Sequence, residues 1–319
     1  VLRMLEADLR NLESARKWCL SAGHYEQSAE IALIMGRFSQ QRGFFEDGAA
    51  RTRMGLEAVA KSSGGPSCIQ AELLRELAGW HLDQFEWDEA CRCATEALSL
   101  SEQLEDKKGK ANALNLLGLA ADPAQNAAAA REAYEKALVE FRNLRDDSGV
   151  ANVLNNLGVL EHRCGNIAEA SRYFQENDQL RRKLGDHRGV SENANNLGVM
   201  AQDQGDLEKA LKYYQESLQI EEELGHVFGV ARALSNLGEI AESQGRLPDA
   251  FRLFAAAECL FEKIKSPYGK SVSECRQRIR IQLHLAASDL PGQELRDWPL
   301  DELIRWGTGS GTESALPTP

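Results

Sequence analysis

Asparagine recurs in this 319-residue chain at an interval of 40. Asn115, Asn155 and Asn195 form one column, with Ser235 in the next place. Asn156, Asn196 and Asn236 form the adjacent column, with Leu116 departing from it upstream. Asn152, Glu192 and Arg232 precede them, and His162, Gln202, Glu239 and Glu242 follow them. A carboxamide carries both donors and an acceptor, so one side chain can pair with a backbone C=O and N–H together. A row of them grips an extended peptide without regard to its side chains. The same row could equally tidy the packing of helices, and both readings stand at this point.

Covalent chemistry finds no comparable set. Tyr268-Gly269-Lys270-Ser271 imitates the end of a phosphate loop, but Ile264 stands where that loop needs its first glycine. Gly307-Thr308-Gly309-Ser310-Gly311 imitates a dinucleotide loop, yet it follows no strand and opens no helix. The six histidines share no ligand spacing, and no Ser-His-Asp or Cys-His set can be assembled. Seven cysteines are scattered without a framework, which reads as reduced, buried thiols in a reducing compartment. Cys91 and Cys93 point roughly 200° apart on a helix, so they cannot chelate one metal. The expectation is no catalytic residue, no metal and no cofactor.

The rows must be positioned by repeated elements. Gly149-Val150, Gly189-Val190 and Gly229-Val230 open three copies of one 40-residue unit. Each continues with Asn-Leu-Gly (Gly158, Gly198, Gly238), a second glycine (Gly165, Gly205, Gly245), an alanine (Ala170, Ala210, Ala250) and an aromatic residue (Phe174, Tyr214, Phe254). Each closes near an aliphatic residue, Leu184, Leu224 or Ile264. Val150, Val153, Leu154, Leu157 and Leu160 fall at helical spacing and form one apolar stripe. Gly165-Asn166 breaks that helix, and a second runs from about Ile167 to Leu184. The unit is a helical hairpin, and fixed-period repetition means a solenoid in which units pack on their neighbours. A mid-helix glycine costs about 1 kcal/mol against alanine, so its recurrence implies close approach of the two helices. The expectation is glycine facing alanine, with the aromatic filling the gap between adjacent hairpins.

These columns resemble the tetratricopeptide repeat, lengthened from the usual 34 residues to 40. The longer form is similar to the repeats of kinesin light chains and of the spindle-orientation adaptor with Leu-Gly-Asn repeats. HEAT and armadillo repeats share the length but not the columns. The resemblance implies an all-α, right-handed superhelical solenoid of tetratricopeptide-type hairpins. It also implies that asparagines in these columns contact a ligand backbone on the concave face. The ends carry a second resemblance. Leu5 to Leu12 with Trp18, Arg37 to Ala58, Ala250 to Leu260 and Trp298 to Trp306 look like the repeat region of bacterial STAND-type signal-transduction ATPases. There an ATPase module precedes the repeats, and the repeats receive the signal.

Along the chain, residues 1–62 read as an N-terminal helix plus a divergent first repeat. Residues 69–268 read as five in-phase repeats, 269–306 as capping helices and 307–319 as a flexible tail. In the first in-phase repeat Ala78 replaces the glycine and Ala94 the aromatic, so Trp80, Phe85 and Trp87 are expected to refill the volume. Pro123 and Gln125 should distort the hairpin that contains them. The chain starts at Val1 inside a helical pattern, as a piece of a longer protein would. A formal net charge of −12 argues against direct binding of nucleic acid or an anionic membrane. No run of 18 apolar residues exists to span a bilayer. The functional expectation is a cytoplasmic, non-catalytic scaffold or sensor that holds a protein or peptide segment. Glu239 and Glu242 would favour a basic residue at one end of that segment. The alternative is a small-molecule effector site, as in STAND-type regulators.

Overall fold

The computed structural model describes residues 2–41, 45–62, 64–121, 126–264, 266–283 and 300–308. Among the described residues there are fifteen α-helices and no strands. They are α1 (Leu2–Ser21), α2 (Tyr25–Gln41), α3 (Phe45–Val59), α4 (Cys68–Asp83), α5 (Trp87–Gln103), α6 (Lys107–Ala120), α7 (Ala127–Leu144) and α8 (Asp147–Arg163). There follow α9 (Ile167–Leu184), α10 (His187–Asp203), α11 (Leu207–Glu223), α12 (Val227–Ser243), α13 (Leu247–Lys263), α14 (Tyr268–Gln282) and α15 (Leu300–Thr308). The chain is an all-α repeat protein of stacked helical hairpins. It divides into two compact units, residues 1–173 and 174–319, with the boundary inside α9. Within each unit helices pack chiefly on their sequence neighbours.

The period is written into the turns. The side chains of Asp106, Asp146 and Asp186 each cap the next helix, accepting from the backbone N–H of Gly109, Gly149 and Gly189 at 2.9 Å. Gly165, Gly205 and Gly245 adopt φ of 79°, 77° and 72°, a left-handed conformation that suits glycine. Phe85 holds the equivalent place before α5, with φ 60°.

Several expectations are corrected. The mid-helix glycine faces the aromatic ring of its own hairpin, not an alanine. Tyr134 lies over Gly118, Tyr214 over Gly198 and Phe254 over Gly238, and a Cβ on Gly198 would stand 2.5 Å from the Tyr214 ring. A bare helix backbone is what admits a ring there, so the aromatics are wholly buried within hairpins. Phe85 refills nothing: it is 75% exposed and meets Trp87 edge-on at 5.9 Å. Trp80 alone of the three is buried, over Gly48 of α3. Leu184, which helical spacing places on the inner side with Ala170 and Phe174, is 43% exposed, and Leu224 and Ile264 in its column are 46% and 40% exposed, because they sit at or beside the helix C-termini. Trp18, which helical spacing places on or near one face with Leu5, Leu9 and Leu12, is 64% exposed, while Arg16 and Cys19 turn inward in its helix. Of the seven cysteines only Cys19 and Cys259 are buried. Pro123 and Gln125 lie outside the described residues, as does the stretch Ser288 to Gly292, where the sequence predicts a turn.

The end of the second unit departs from the repeat. α13 is buried nearly all round, from Phe251 to Phe261 apart from Arg252. A helix apolar on every side needs cover on every side, and α12, α14 and α15 supply it. The last helix reaches Thr308, two residues past the expected end of the capping helices at 306, and buries Gly307 against Ala256.

Candidate functional site: the first-helix faces

In the first unit, α4, α6 and α8 are the first helices of their hairpins, and their polar columns fall side by side. Asn156 of α8 donates from Nδ2 to Oδ1 of Asn115 on α6 at 3.0 Å. That bond uses one of the two N–H groups of Asn156 and leaves its carbonyl for other partners. Asn152 and Asn155 also engage other residues. Asn112, one turn before Asn115, is half-buried and stands outside this pairing.

Two hollows open on this face. One, of about 380 Å³, is lined by Arg37, Glu72, Arg75, Glu76, Gly79, Asn112, Asn115 and Leu116. Its charges are spent internally: Arg37 binds Glu72 at 2.7 Å and Glu76 at 2.8 Å. Arg75 donates to Ser101 at 3.4 Å and stands 4.0 Å from Asp106. The other, of about 490 Å³, is mainly apolar, with Leu82, Trp87, Leu116, Leu119 and Val159 along it. Asp83, Arg163 and Asn156 supply its polar groups, and Tyr134 lies beneath. Asp83 is exposed at the rim, yet partial desolvation among the surrounding protein atoms pushes its carboxyl above its usual range. Burial likewise raises the Tyr134 phenol, against the pull of the Arg163 charge. Sequence reasoning missed this hollow. Its signal is Gly79, a helix glycine one place beyond the repeated glycine column.

In the second unit, the same pairing recurs between α10 and α12. Asn236 donates from Nδ2 to Oδ1 of Asn195 at 2.7 Å, and Asn195 is buried. Asn196 also has a partner. Ser235 is half-buried beside this row. Glu192 accepts from Arg188 at 3.3 Å. Glu239 accepts from Gln202 at 3.2 Å, and Gln202 in turn accepts from the Tyr214 hydroxyl at 2.9 Å. Burial, with the charges of Glu239 and Asp203 adding to it, holds the Tyr214 phenol protonated. The expected acidic end is corrected here. Glu242 is clamped by both arms of Arg278, at 2.9 and 2.7 Å, so its charge is matched within the fold. Arg276, two residues before Arg278, is spent in the same way: it pairs with Glu258 at 2.7 Å. Arg232 is different: its Nε is buried with no hydrogen-bond partner among the described residues.

The second unit also holds a buried polar layer that sequence reasoning missed. Asn177 donates to Asn193 at 3.0 Å, and Asn193 to the carbonyl of Phe174 at 3.1 Å. Ser191 donates to Glu221 at 2.7 Å, and His226 Nδ1 stands 2.6 Å from the other oxygen of that carboxylate. Asn193 replaces the Val153 and Ala233 of neighbouring repeats, which was the available signal. Among the described residues no group of three His, Cys, Asp or Glu could hold a metal, and no helix is long and apolar enough to cross a membrane.

Once the hairpin geometry is in view, comparison with known proteins is decisive for the family. The tetratricopeptide repeat model matches residues 69–139, 149–223 and 190–263, which is more than half of the chain. The chain belongs to the tetratricopeptide repeat family. No curated protein matches it in sequence. Among solved structures, this tetratricopeptide repeat protein is similar to a Rap protein complexed with competence and sporulation factor, with TM-score 0.61 and 15% identity over 81% of this chain and 76% of that one. It is similar to a signal transduction ATPase with numerous domains that carries a tetratricopeptide repeat sensor, from Pyrococcus horikoshii. There the TM-score is 0.61 and identity 16%, over 81% of this chain but only 39% of that chain. The apo quorum sensor NprR from B. thuringiensis gives TM-score 0.60 and 14% identity, over 89% and 84% of the two chains.

Proposed function

We propose that this chain is a non-catalytic binding module that holds an extended protein or peptide segment against its first-helix faces. It serves as the scaffold or sensor part of a larger cytoplasmic signalling protein. The observation that carries this reading is continuity: the two hollows of the first unit share Gly79 and Leu116. Asn112, Asn115 and Asn156 stand along them. A continuous trough suits an elongated occupant better than a compact one. The Rap protein similar to this chain is complexed with a factor, and a second Rap regulator is in complex with a peptide, which supports the same mode. The sensor part of the Pyrococcus ATPase supports the place in a larger protein.

The test is selection of a phage-displayed library of random nonapeptides on the chain, followed by anisotropy titration of the selected peptides. Asn112→Ala removes one amide without touching the Asn156–Asn115 bond. It should weaken binding by about 1 kcal/mol, the net value of one hydrogen bond, with an unchanged melt. Failure to enrich any peptide would refute the reading. A small-molecule site is the second reading, because about 490 Å³ falls within the size of ligand pockets. Saturable binding of a metabolite without peptide competition would establish it.

A further inference from the structure

Gly79 is a helix glycine for which the fold gives no packing reason. A Cβ placed on Gly118 or Gly198 would meet a ring, and one on Gly55 would meet Leu73. A Cβ on Gly79 would have nothing within 4 Å. The neighbouring repeats place Leu119 and Val159 in the same column. The missing side chain is therefore a vacancy in a row of apolar ones, and it opens into the hollow of about 490 Å³. Leu82, Leu116, Leu119, Val159 and Trp87 are all only half-buried around it.

The charges at its two ends are unspent. Asp83 closes α4 and Arg163 closes α8, two hairpins on. Neither is joined in an ion pair among the described residues. This contrasts with the adjoining polar hollow, where Arg37, Glu72 and Glu76 neutralise one another.

We infer that the hollow beside Gly79 is the specificity pocket of the peptide trough, taking one large apolar side chain (Leu, Met or Phe) that has a basic residue toward Asp83 and an acidic residue toward Arg163. The spacing follows from the layers. Packed helices lie roughly 10 Å apart, so each charge stands about one layer from the α6 residues at the middle. An extended chain advances about 3.3 Å per residue, which puts each charged residue about three positions from the apolar one. Opposite charges at the two ends fix the direction in which the segment lies, and an apolar anchor between them fixes its register. This inference rests on the peptide-binding reading above and adds the partner's chemistry to it.

The test uses the same nonapeptide selection with two variants. Gly79→Leu fills the hollow, and it replaces glycine with a better helix former, so its melting temperature should stay level or rise. Peptides selected on the natural chain should share a Leu, Met or Phe with Lys or Arg and Asp or Glu three positions to either side. They should bind Gly79→Leu at least tenfold more weakly. Asp83→Arg combined with Arg163→Asp should instead select the reversed charge order. Peptides that bind Gly79→Leu undiminished and share no apolar position would overturn the pocket while leaving peptide binding intact. If no peptide is enriched, the peptide reading falls and the pocket with it. Saturable binding of the compact apolar dye anilinonaphthalene sulfonate, abolished by Gly79→Leu, would then mark a small-molecule cavity.

Discussion

Gly198→Ala and Gly79→Ala are the same chemical change in two first helices, and the structure gives them opposite signs. Alanine is favoured over glycine inside a helix by roughly 0.8–1.0 kcal/mol. At Gly79 nothing opposes that gain, because the new methyl meets open space. Gly79→Ala should therefore stabilise the fold by about 1 kcal/mol. At Gly198 the methyl would stand 2.5 Å from Cε1 and 2.7 Å from Cδ1 of Tyr214. The ring is buried, so it can move only by overpacking its surroundings, at about 1–3 kcal/mol. Displacement also endangers the hydroxyl bond to Gln202, worth about 1 kcal/mol. Less the helix gain, Gly198→Ala should destabilise by about 1–2 kcal/mol. Tyr214→Val removes the obstructing ring atoms, and in that background Gly198→Ala should become stabilising by about 1 kcal/mol. The coupling between the two sites is then about 2–3 kcal/mol, within the range for residues in contact. The assay is chemical denaturation followed by circular dichroism, fitted with nearest-neighbour terms because repeat stacks are quasi-one-dimensional. A Gly198→Ala chain more stable than the natural one would refute the close packing of ring on glycine.

Phe85→Gly should raise the melting temperature. A left-handed non-glycine residue costs about 1–2 kcal/mol, glycine loses roughly 0.5–1 kcal/mol of backbone entropy, and the ring is 75% exposed, so a net gain of up to about 1.5 kcal/mol remains; a lowered melt would mean that the contact with Trp87 outweighs the backbone. Asp146 should contribute to acid sensitivity. The N–H of Gly149, and then Lys108, hold its carboxyl below the ordinary range. Its contribution is therefore full above the unfolded value of about 3.9 and is lost as pH falls through the lower folded value. Asp146→Asn keeps the cap but should flatten that acid limb in a pH series of melts, whereas Asp146→Ala should cost about 1 kcal/mol at neutral pH.

The fold was legible because its determinants repeat. Gly149, Gly189 and Gly229 mark the period, and the stripe from Val150 to Leu160 is buried as its spacing demands. What the columns could not show was which partner each residue faces. Tyr214 looked like a wedge between hairpins, yet Gly198 receives it inside its own hairpin, and no periodicity distinguishes those two neighbours. Phe85 looked like core because aromatic residues usually are. Its column demands a left-handed turn, and that turn points it outward. Glu242 looked like a free charge because its partner, Arg278, lies 36 residues away on the capping helix. The hollow at Gly79 was illegible for a related reason: an empty volume belongs to no residue type, and it emerges only when three hairpins are stacked.

On the proposed peptide-binding reading, the asparagine rows serve structure and site with the same residues. Asn156 gives one N–H to Asn115, and Asn236 gives one to Asn195. Each bond joins successive first helices within its unit, so it belongs to the stacking of hairpins. An amide so held cannot rotate freely, and its remaining carbonyl is fixed in direction. Such fixing lowers the entropy lost when a ligand backbone is engaged. Under the peptide-binding proposal, stacking and grip are two uses of one side chain rather than rivals for it. Replacing Asn156, Asn196 and Asn236 together by alanine would remove both uses at once, and a fall in affinity could then be read either way. Asn112 separates them, because it lines the same trough but lies outside the inter-helix pair. An affinity lost at Asn112 with the melt unchanged belongs to the grip, and an affinity unchanged there would return the whole row to packing.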